Sequence, residues 1–240
     1  MLRAVAGHGP HGSSTSEIAR ATGLARPTAH RLLTSLAAEG LMDRDEHGRW
    51  LLGPEIYLLG SVASNRYDIT DTARPVVHQL AEATGESAFF SARRGDETVC
   101  LLREEGSFPI RSHVLYEGIR FPLGVASAGL AILSYLPDDE IGAYLDGADL
   151  ASSHGPQHGA EQIWQRVAAT RETGYAVNPG LVVEGSWGMG AVVFDGADRP
   201  RWALSITGIE QRFGPDRRER MGRLLLRAAH SLTSALAIRS

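Results

Sequence analysis

The sequence predicts an α+β chain in two parts. A small N-terminal unit of helices ends in a two-stranded wing, and a larger C-terminal unit carries packed helices on an antiparallel sheet. Three observations predict this. A helix–glycine–helix pattern runs through "SEIARATGLARPTAHRLLTSLAAEG", residues 16–40. Short β-rich runs punctuated by glycine recur after Gly85. An amphipathic segment, "PDRRERMGRLLLRAAHSLTSALA", closes the chain. With 240 residues, 43% of them hydrophobic and 22% charged, both parts can bury a core. The expected divisions are residues 1–53, a linker helix over 54–68, and residues 69–240.

The first helix of the pair starts in "SSTSEIARAT", where serine and threonine can cap it and Glu17 lies in the first turn, favoured by the helix dipole. Ile18, Ala19 and Thr22 face inward. Gly23 allows the left-handed backbone of a tight helix end, and Leu24 plugs the corner. The second helix restarts with Pro27 in its first turn, where a missing N–H does no harm. Ala29, Leu32, Leu33 and Leu36 form its apolar stripe by i, i+3, i+4, i+7 spacing. The other face offers Arg26, Thr28, His30, Arg31, Thr34 and Ser35, and no carboxylate. Two close helices, the second presenting short polar and cationic side chains, make a helix-turn-helix. An ordinary helical hairpin with a solvated face reads the same over residues 16–37. The next stretch, "LMDRDEHGRWLLG", separates the two readings. Leu41 and Met42, then Trp50 to Leu52, flank a polar tip as in a two-stranded wing, from which Arg44 and Arg49 can reach phosphates.

The run "STSEIARATGLARPTAHRLLTSLAAEGLMDRD…GRWLLGPEIYLLG" resembles the winged helix-turn-helix of the IclR family of bacterial transcriptional regulators. The resemblance rests on the turn glycine Gly23, on Thr28–Arg31–Leu32–Leu33 and on Trp50–Leu52–Gly53. It implies that residues 25–36 dock in a major groove. Ser16, Ala25, Arg26, Thr28, His30, Arg31 and Ser35 would then bind DNA, and Arg44 and Arg49 would grip phosphates from the wing. It also implies a full amphipathic helix ahead of residue 13, where this chain offers only "LRAVAG". Either that helix is short, or the start codon assigned to the chain lies too far downstream.

From Gly53, "PEIYLLGSVASNRYDITDTARPVVHQLAEATG" reads as a long helix broken near Tyr67–Asp71. Leu58, Leu59 and Val62 form a stripe suited to self-association, and the resemblance implies a homodimer or homotetramer. "SAFFSARRGDETVCLLREEG" is a hairpin turning at Gly95-Asp96. A further strand and turn follow in "IRSHVLYEGIRFPL". Helices are expected in "VASAGLAILSYL", "DDEIGAYLD" and "GAEQIWQRVAATRETGY", then several strands in residues 175–213. The terminal helix has Met221, Leu225, Ala228, Leu232 and Leu236 as its core stripe. The whole reads as a sheet with helices on one face. It resembles the GAF-like effector domain of the same family.

The family's effector pocket lies between the sheet and a helix whose counterpart opens in "FPLGVASAGLA", residues 121–131. Independently of that resemblance, Gly124, Ala126, Ser127, Ala128 and Gly129 begin a helix whose first-turn N–H groups have no internal partner and can receive a carboxylate. In "ALSITG", Ser205 and Thr207 share one strand face. The resemblance adds Asn178 and Gly188, at positions that contact small acids in the family. Leu130 stands where many members carry lysine, and Asn178 and Gly188 where some carry Asp and Cys. Trp187 and Met189 suggest a roomier, more apolar cavity and a larger or aromatic organic acid. The candidate effector-binding set is Gly124, Ser127, Ala128, Asn178, Trp187, Gly188, Met189, Ser205 and Thr207.

Other chemistries are weaker. The net charge is −4, so nucleic-acid binding must come from a local patch. All 24 basic residues are arginine, which rules out a P-loop lysine. The single cysteine, Cys100, excludes an internal disulfide and reads as a buried thiol. "HGPH" and "HGPQH" pair histidines in loops, a poor metal site, and "SSHGPQHG" reads as a mobile connection. "EGSWGMG" lacks the spacing and the strand-to-helix elbow of a serine nucleophile, so no enzyme is expected. No cofactor is implied. "MLRAVAGHGPHG" lacks a leader's apolar run, and "VASAGLAIL" is about half a membrane span, so a cytoplasmic protein without membrane contact is expected. The expected function is a ligand-responsive regulator that binds double-stranded operator DNA. It would repress a catabolic operon and be released or modulated by a small organic acid. The alternatives are an activator, a DNA-binding adaptor with a ligand-free interaction domain, or an enzyme carrying a vestigial DNA module.

Overall fold

The computed structural model describes residues 1–64, 69–110 and 114–237. The chain divides into two compact units, Met1–Asp68 and Ile69–Ser240.

In the first unit, α1 (Leu2–Ala6) precedes the helix pair α2 (Thr15–Thr22) and α3 (Arg26–Ala38). Ser14 caps α2 in a reciprocal box: Glu17 N–H donates to Ser14 Oγ at 3.3 Å, and Ser14 N–H donates to Glu17 Oε2 at 2.7 Å. Those bonds hold the Glu17 carboxyl below its ordinary value. Gly23 ends α2 at φ +67°, the left-handed region. The wing pairs β1 (Met42–Arg44) with β2 (Trp50–Leu52), Met42 opposite Leu52 and Arg44 opposite Trp50. Ser13 and Trp50 exchange backbone hydrogen bonds, so the wing is anchored to the entry of α2. Val5, Ile18, Leu33, Met42 and Trp50 form the core. The short α1 contributes Val5, the apolar plug that "LRAVA" can supply in five residues.

Leu32 departs from the expected stripe. Ala29 and Leu33 are fully buried, but Leu32 is 40% exposed. The buried arc of α3 is narrow, and one step of 100° from Leu33 carries Leu32 off it. The helix α4 (Pro54–Ser64) follows the wing, with Tyr57, Leu58, Leu59 and Val62 all exposed. Of the expected break at Tyr67–Asp71, Tyr67 and Asp68 lie outside the described residues. Ile69 begins α5 (Ile69–Thr84).

The second unit is built on a six-stranded antiparallel sheet, β3 (Ser87–Arg94), β4 (Glu97–Glu104), β5 (Arg120–Pro122), β6 (Ala176–Pro179), β7 (Ser186–Phe194) and β8 (Pro200–Ile209), in the order β5-β4-β3-β8-β7-β6. The β3–β4 hairpin turns at Gly95-Asp96, with Arg94 paired to Glu97. Of the strand expected in "IRSHVLYEGIRFPL", residues 111–113 lie outside the description, and only Arg120–Pro122 pairs. Helices α6 (Ser127–Leu133), α7 (Asp138–Gly147), α8 (Leu150–His154) and α9 (Ala160–Thr173) precede β6, and α10 (Pro215–Ala237) closes the chain.

Helices cover both faces of this sheet, not one. Alternate residues of the central strands are apolar on each side. Ala88, Phe90, Met189, Ala191, Val193, Leu204 and Ile206 pack against α5 and α10. Val192 and Ala203 pack with α6, α7 and α9 on the reverse. There Gly190 admits the backbone of α6: a Cβ at this position would stand 2.7 Å from Ser127 O. In α10 the buried stripe is Met221, Leu225, Ala229, Leu232 and Leu236, with Ala229 in place of Ala228. The start of β3 is tied to the segment before and within α10 through the buried Glu86 carboxylate, which accepts from Arg212 Nε at 2.5 Å and Arg217 Nη2 at 2.7 Å.

"SSHGPQHG" is ordered by its histidines instead of being a loose connection. His158 is 1% exposed; its Nδ1 lies 2.8 Å from His154 O and its Nε2 3.4 Å from Val125 O. Burial pushes the His158 ring below its ordinary value. Cys100 is buried, and burial pushes its thiol up to about 12. No described helix is long and apolar enough to cross a membrane.

Candidate nucleic-acid interface and effector site

After Glu17 in the first turn of α2, residues 18–38 to the end of α3 contain three arginines and a histidine and no carboxylate. On α3, Arg26, His30 and Arg31 are exposed and Thr28 is half-buried. Ser16 and Ala25 are exposed at the starts of the two helices. Ser35 is exposed, with its hydroxyl turned onto Arg31 O at 3.1 Å, as Thr34 turns onto His30 O at 3.0 Å. Trp50 joins the parts. Its Nε1 donates to Thr15 Oγ1 at 2.9 Å, the His30 ring meets it edge-on at 6.1 Å, and the Arg44 guanidinium lies 5.3 Å from its ring centroid.

The two wing arginines differ. Arg44 is exposed and holds the turn by donating from Nε to Gly48 O at 3.1 Å. Arg49 reaches back into the unit, donating from Nη2 to Gly12 O at 3.2 Å and lying 3.9 Å from Glu17 Oε2. Its guanidinium is a strut between wing and α2, although the side chain stays 42% exposed.

In the second unit a cavity sits where α6 meets the sheet. It is lined by Ala126, Ser127, Asn178, Gly188 and Thr207 together with Val114, Leu115, Val182, Ser186 and Trp187. It is narrow, about 20 Å³, room for roughly one water. A Cβ at Gly188 would stand 3.1 Å from Ser127 Oγ, so a larger residue would press on the hydroxyl at the cavity's edge. Asn178 is a clamp. It donates from Nδ2 to Val125 O at 2.7 Å and accepts at Oδ1 from Leu181 N–H at 2.9 Å.

Beside the cavity three hydroxyls lack partners. Ser87 pairs with Thr207 across the β3–β8 ladder, and Ser205 lies two residues along β8. Their oxygens are sealed from solvent with no hydrogen-bond partner among the described residues. Buried hydroxyls left unpaired are costly, and a bound polar group would satisfy them.

Three residues of the expected effector set, Gly124, Ala128 and Met189, lie elsewhere, and Trp187 only borders the cavity. Gly124 and Ala128 face the helical core beneath the sheet; a Cβ at Gly124 would touch Leu133 and Ile163, and Ala128 belongs to that cluster. Met189 is fully buried on the opposite sheet face. Trp187 borders the cavity, but its ring packs 6.2 Å from Phe213 with Arg218 above it. Alternation explains this: Gly188 faces α6, so its neighbours face away. Among the described residues, Met189 therefore does not widen this cavity, which is narrower than the roomier, apolar one expected from Trp187 and Met189. Ser87 escaped the sequence reading because its nearness to Thr207 depends on a pairing between strands over a hundred residues apart.

A winged helix-turn-helix with a cationic, carboxylate-free second helix, carried in one chain with an α+β unit, defines a DNA-binding transcriptional regulator. Two family models match: the IclR helix-turn-helix domain over residues 1–46 and the bacterial transcriptional regulator IclR C-terminal domain over residues 62–234. The chain belongs to the IclR family. It is 30% identical to the HTH-type transcriptional regulator KipR of Bacillus subtilis over 84% of this chain and 81% of that one. It is 25% identical to the transcriptional repressor IclR of Escherichia coli over 92% and 81%. The crystal structure of an IclR transcriptional regulator from Alicyclobacillus acidocaldarius superposes with a TM-score of 0.82 at 25% identity, covering 97% of this chain and 94% of that one. These relatives are regulators, and this chain is not an enzyme.

Proposed function

We propose that the protein represses a catabolic operon by binding operator DNA through α3 and the wing, and that a small organic acid in the second unit modulates this binding. Arg26 and Arg31 supply phosphate and base contacts on α3, His30 and Thr28 flank them, and Arg44 reaches a phosphate from the wing. The exposed apolar row Tyr57, Leu58, Leu59 and Val62 on α4 pairs two copies, as a twofold operator requires.

The observation that carries the effector reading is the trio of sealed, unpartnered hydroxyls on Ser87, Ser205 and Thr207 beside the cavity at Ser127. Hydroxyl donors at neighbouring positions of one sheet face, near a helix start, suit a carboxylate. The narrow cavity favours a compact acid, or one whose entry displaces Leu115 and Val182. The acid alters DNA binding only by binding two states unequally. Calorimetry against a panel of short organic acids tests this, with gel shifts on the promoters flanking the gene run with and without each acid that binds. One acid should bind wild type, lose affinity in Ser205→Ala and Thr207→Val, and change operator affinity. An acid that binds without changing operator affinity would overturn the regulatory reading.

A further inference from the structure

A second cleft lies on the opposite side of the β6 edge, between α9 and the first turn of α10. Its volume is about 290 Å³, and its lining includes Arg166, Thr170, Tyr175, Val177, Pro179 and Arg218. No carboxylate lines it. Arg166 is half-buried, donating from Nη2 to Gln157 O at 3.2 Å and from Nε to Gln162 O at 3.4 Å, while its Nη1 is sealed from solvent with no acceptor among the described residues. Arg218 lies with its guanidinium carbon 5.3 Å from the Trp187 ring centroid, and its Nε is likewise sealed and unpartnered. Among the described residues neither arginine forms an ion pair.

A cation withdrawn from water without a counter-charge is costly, and two on one apolar-walled cleft are more so. Guanidinium groups match planar oxyanions with paired, charge-assisted bonds. We propose that this cleft binds a small organic oxyanion, its charged group held by Arg166 and Arg218 and its apolar body resting on Val177 and Pro179. The site is distinct from the hydroxyl-lined cavity but backs onto the same strands. Val177 and Pro179 face the cleft while Asn178 between them clamps the cavity side, and Trp187 lies under Arg218 while Gly188 lines the cavity. Burial alone already holds the Arg166 guanidinium below its ordinary value.

Isothermal calorimetry on the full chain tests this with two probes, inorganic phosphate and benzoate, against wild type, Arg166→Gln, Arg218→Gln and Thr207→Val. At least one probe should bind wild type saturably, one per chain. Affinity should fall about tenfold or more in each arginine variant, the size of a lost charged hydrogen bond, and stay unchanged in Thr207→Val. Binding of phosphate alone points to a phosphate ester as the natural occupant, and binding of benzoate to a carboxylate. The proposal is overturned if neither probe binds at about 10 mM, a concentration that would fill a site of roughly 1 mM affinity almost completely. It is also overturned if binding survives both arginine substitutions, or if Thr207→Val abolishes it, which would place the probe in the other cavity. The Arg218 side chain makes no hydrogen bond among the described residues, so Arg218→Gln decides the matter even if Arg166→Gln fails to fold.

Discussion

Asn178 and Val125, 53 positions apart, are joined by a 2.7 Å hydrogen bond from the Asn178 amide to the Val125 carbonyl, buried beneath the turn that leads into α6. The same side chain accepts from Leu181 N–H, so one residue fixes both β6 and the loop leaving it. Replacing it with alanine leaves the buried Val125 carbonyl only the 3.4 Å contact with His158 Nε2 and strands a part-buried N–H. Asn178→Ala should cost about 1–3 kcal/mol in urea unfolding and weaken any acid bound beside Ser127. If stability is unchanged, water replaces the amide and the clamp is not structural.

Val125 O also lies 3.4 Å from His158 Nε2, while His158 Nδ1 is 2.8 Å from His154 O. The short contact is the one a neutral imidazole donates. Because burial depresses the folded-state value, the ordinary value of 6.5 is higher, and the unfolded chain binds the proton more readily. The stability due to the neutral ring is therefore present above about pH 6.5 and is lost as pH falls through the lower folded value. Unfolding free energies measured from pH 7.5 to 5 should decline for wild type, and the decline should be shallower in His158→Gln. Parallel curves would place the linkage elsewhere.

Local signals were legible in the sequence. The serines and threonines before Ile18 signal a capped start with Glu17 in the first turn, Gly23 the helix end, Gly95-Asp96 the hairpin and Trp50 the wing, while the reciprocal Ser14–Glu17 box is seen only in the structure. What stayed hidden depends on long-range packing. Which face of β7 meets which helices cannot be read from "SWGMGAVVF", where both faces are buried, so Met189 turns out to lie on the far face and Trp187 only at the cavity's border. Arg49 read as a wing-tip cation because only the folded chain brings Gly12 and Glu17 within its reach. The unpartnered hydroxyl of Ser87 depended on the register between β3 and β8.

The arginines of the first unit divide by partner, and substitutions should separate them. Arg26→Ala and Arg31→Ala remove exposed cations from α3. They should weaken operator binding and lower the slope of log affinity against log salt by about one per lost phosphate contact, with thermal stability unchanged. Arg49→Ala removes the bond to Gly12 O and the pairing with Glu17. It should cost about 1 kcal/mol of stability and reduce DNA binding only as far as the wing loosens. Equal operator affinity for wild type and the Arg26/Arg31 double variant in gel shifts would mean that α3 does not enter the groove.

Leu32 is the apolar exception on α3, 40% exposed beside Thr28 and Ser35, which lie one helical turn away on the same flank. In the first unit it has no core to fill, and an exposed aliphatic side chain on a groove-reading helix suits the 5-methyl group of thymine. Leu32→Ala should leave the melting temperature within about a degree, as expected for a surface truncation, and weaken binding to an operator selected from a random duplex library. Replacing single thymines of that operator with deoxyuridine locates the contact. One position per half-site should cost wild type affinity and cost Leu32→Ala nothing further. If every deoxyuridine position affects both proteins alike, Leu32 does not read a methyl group, whatever the arginine variants show.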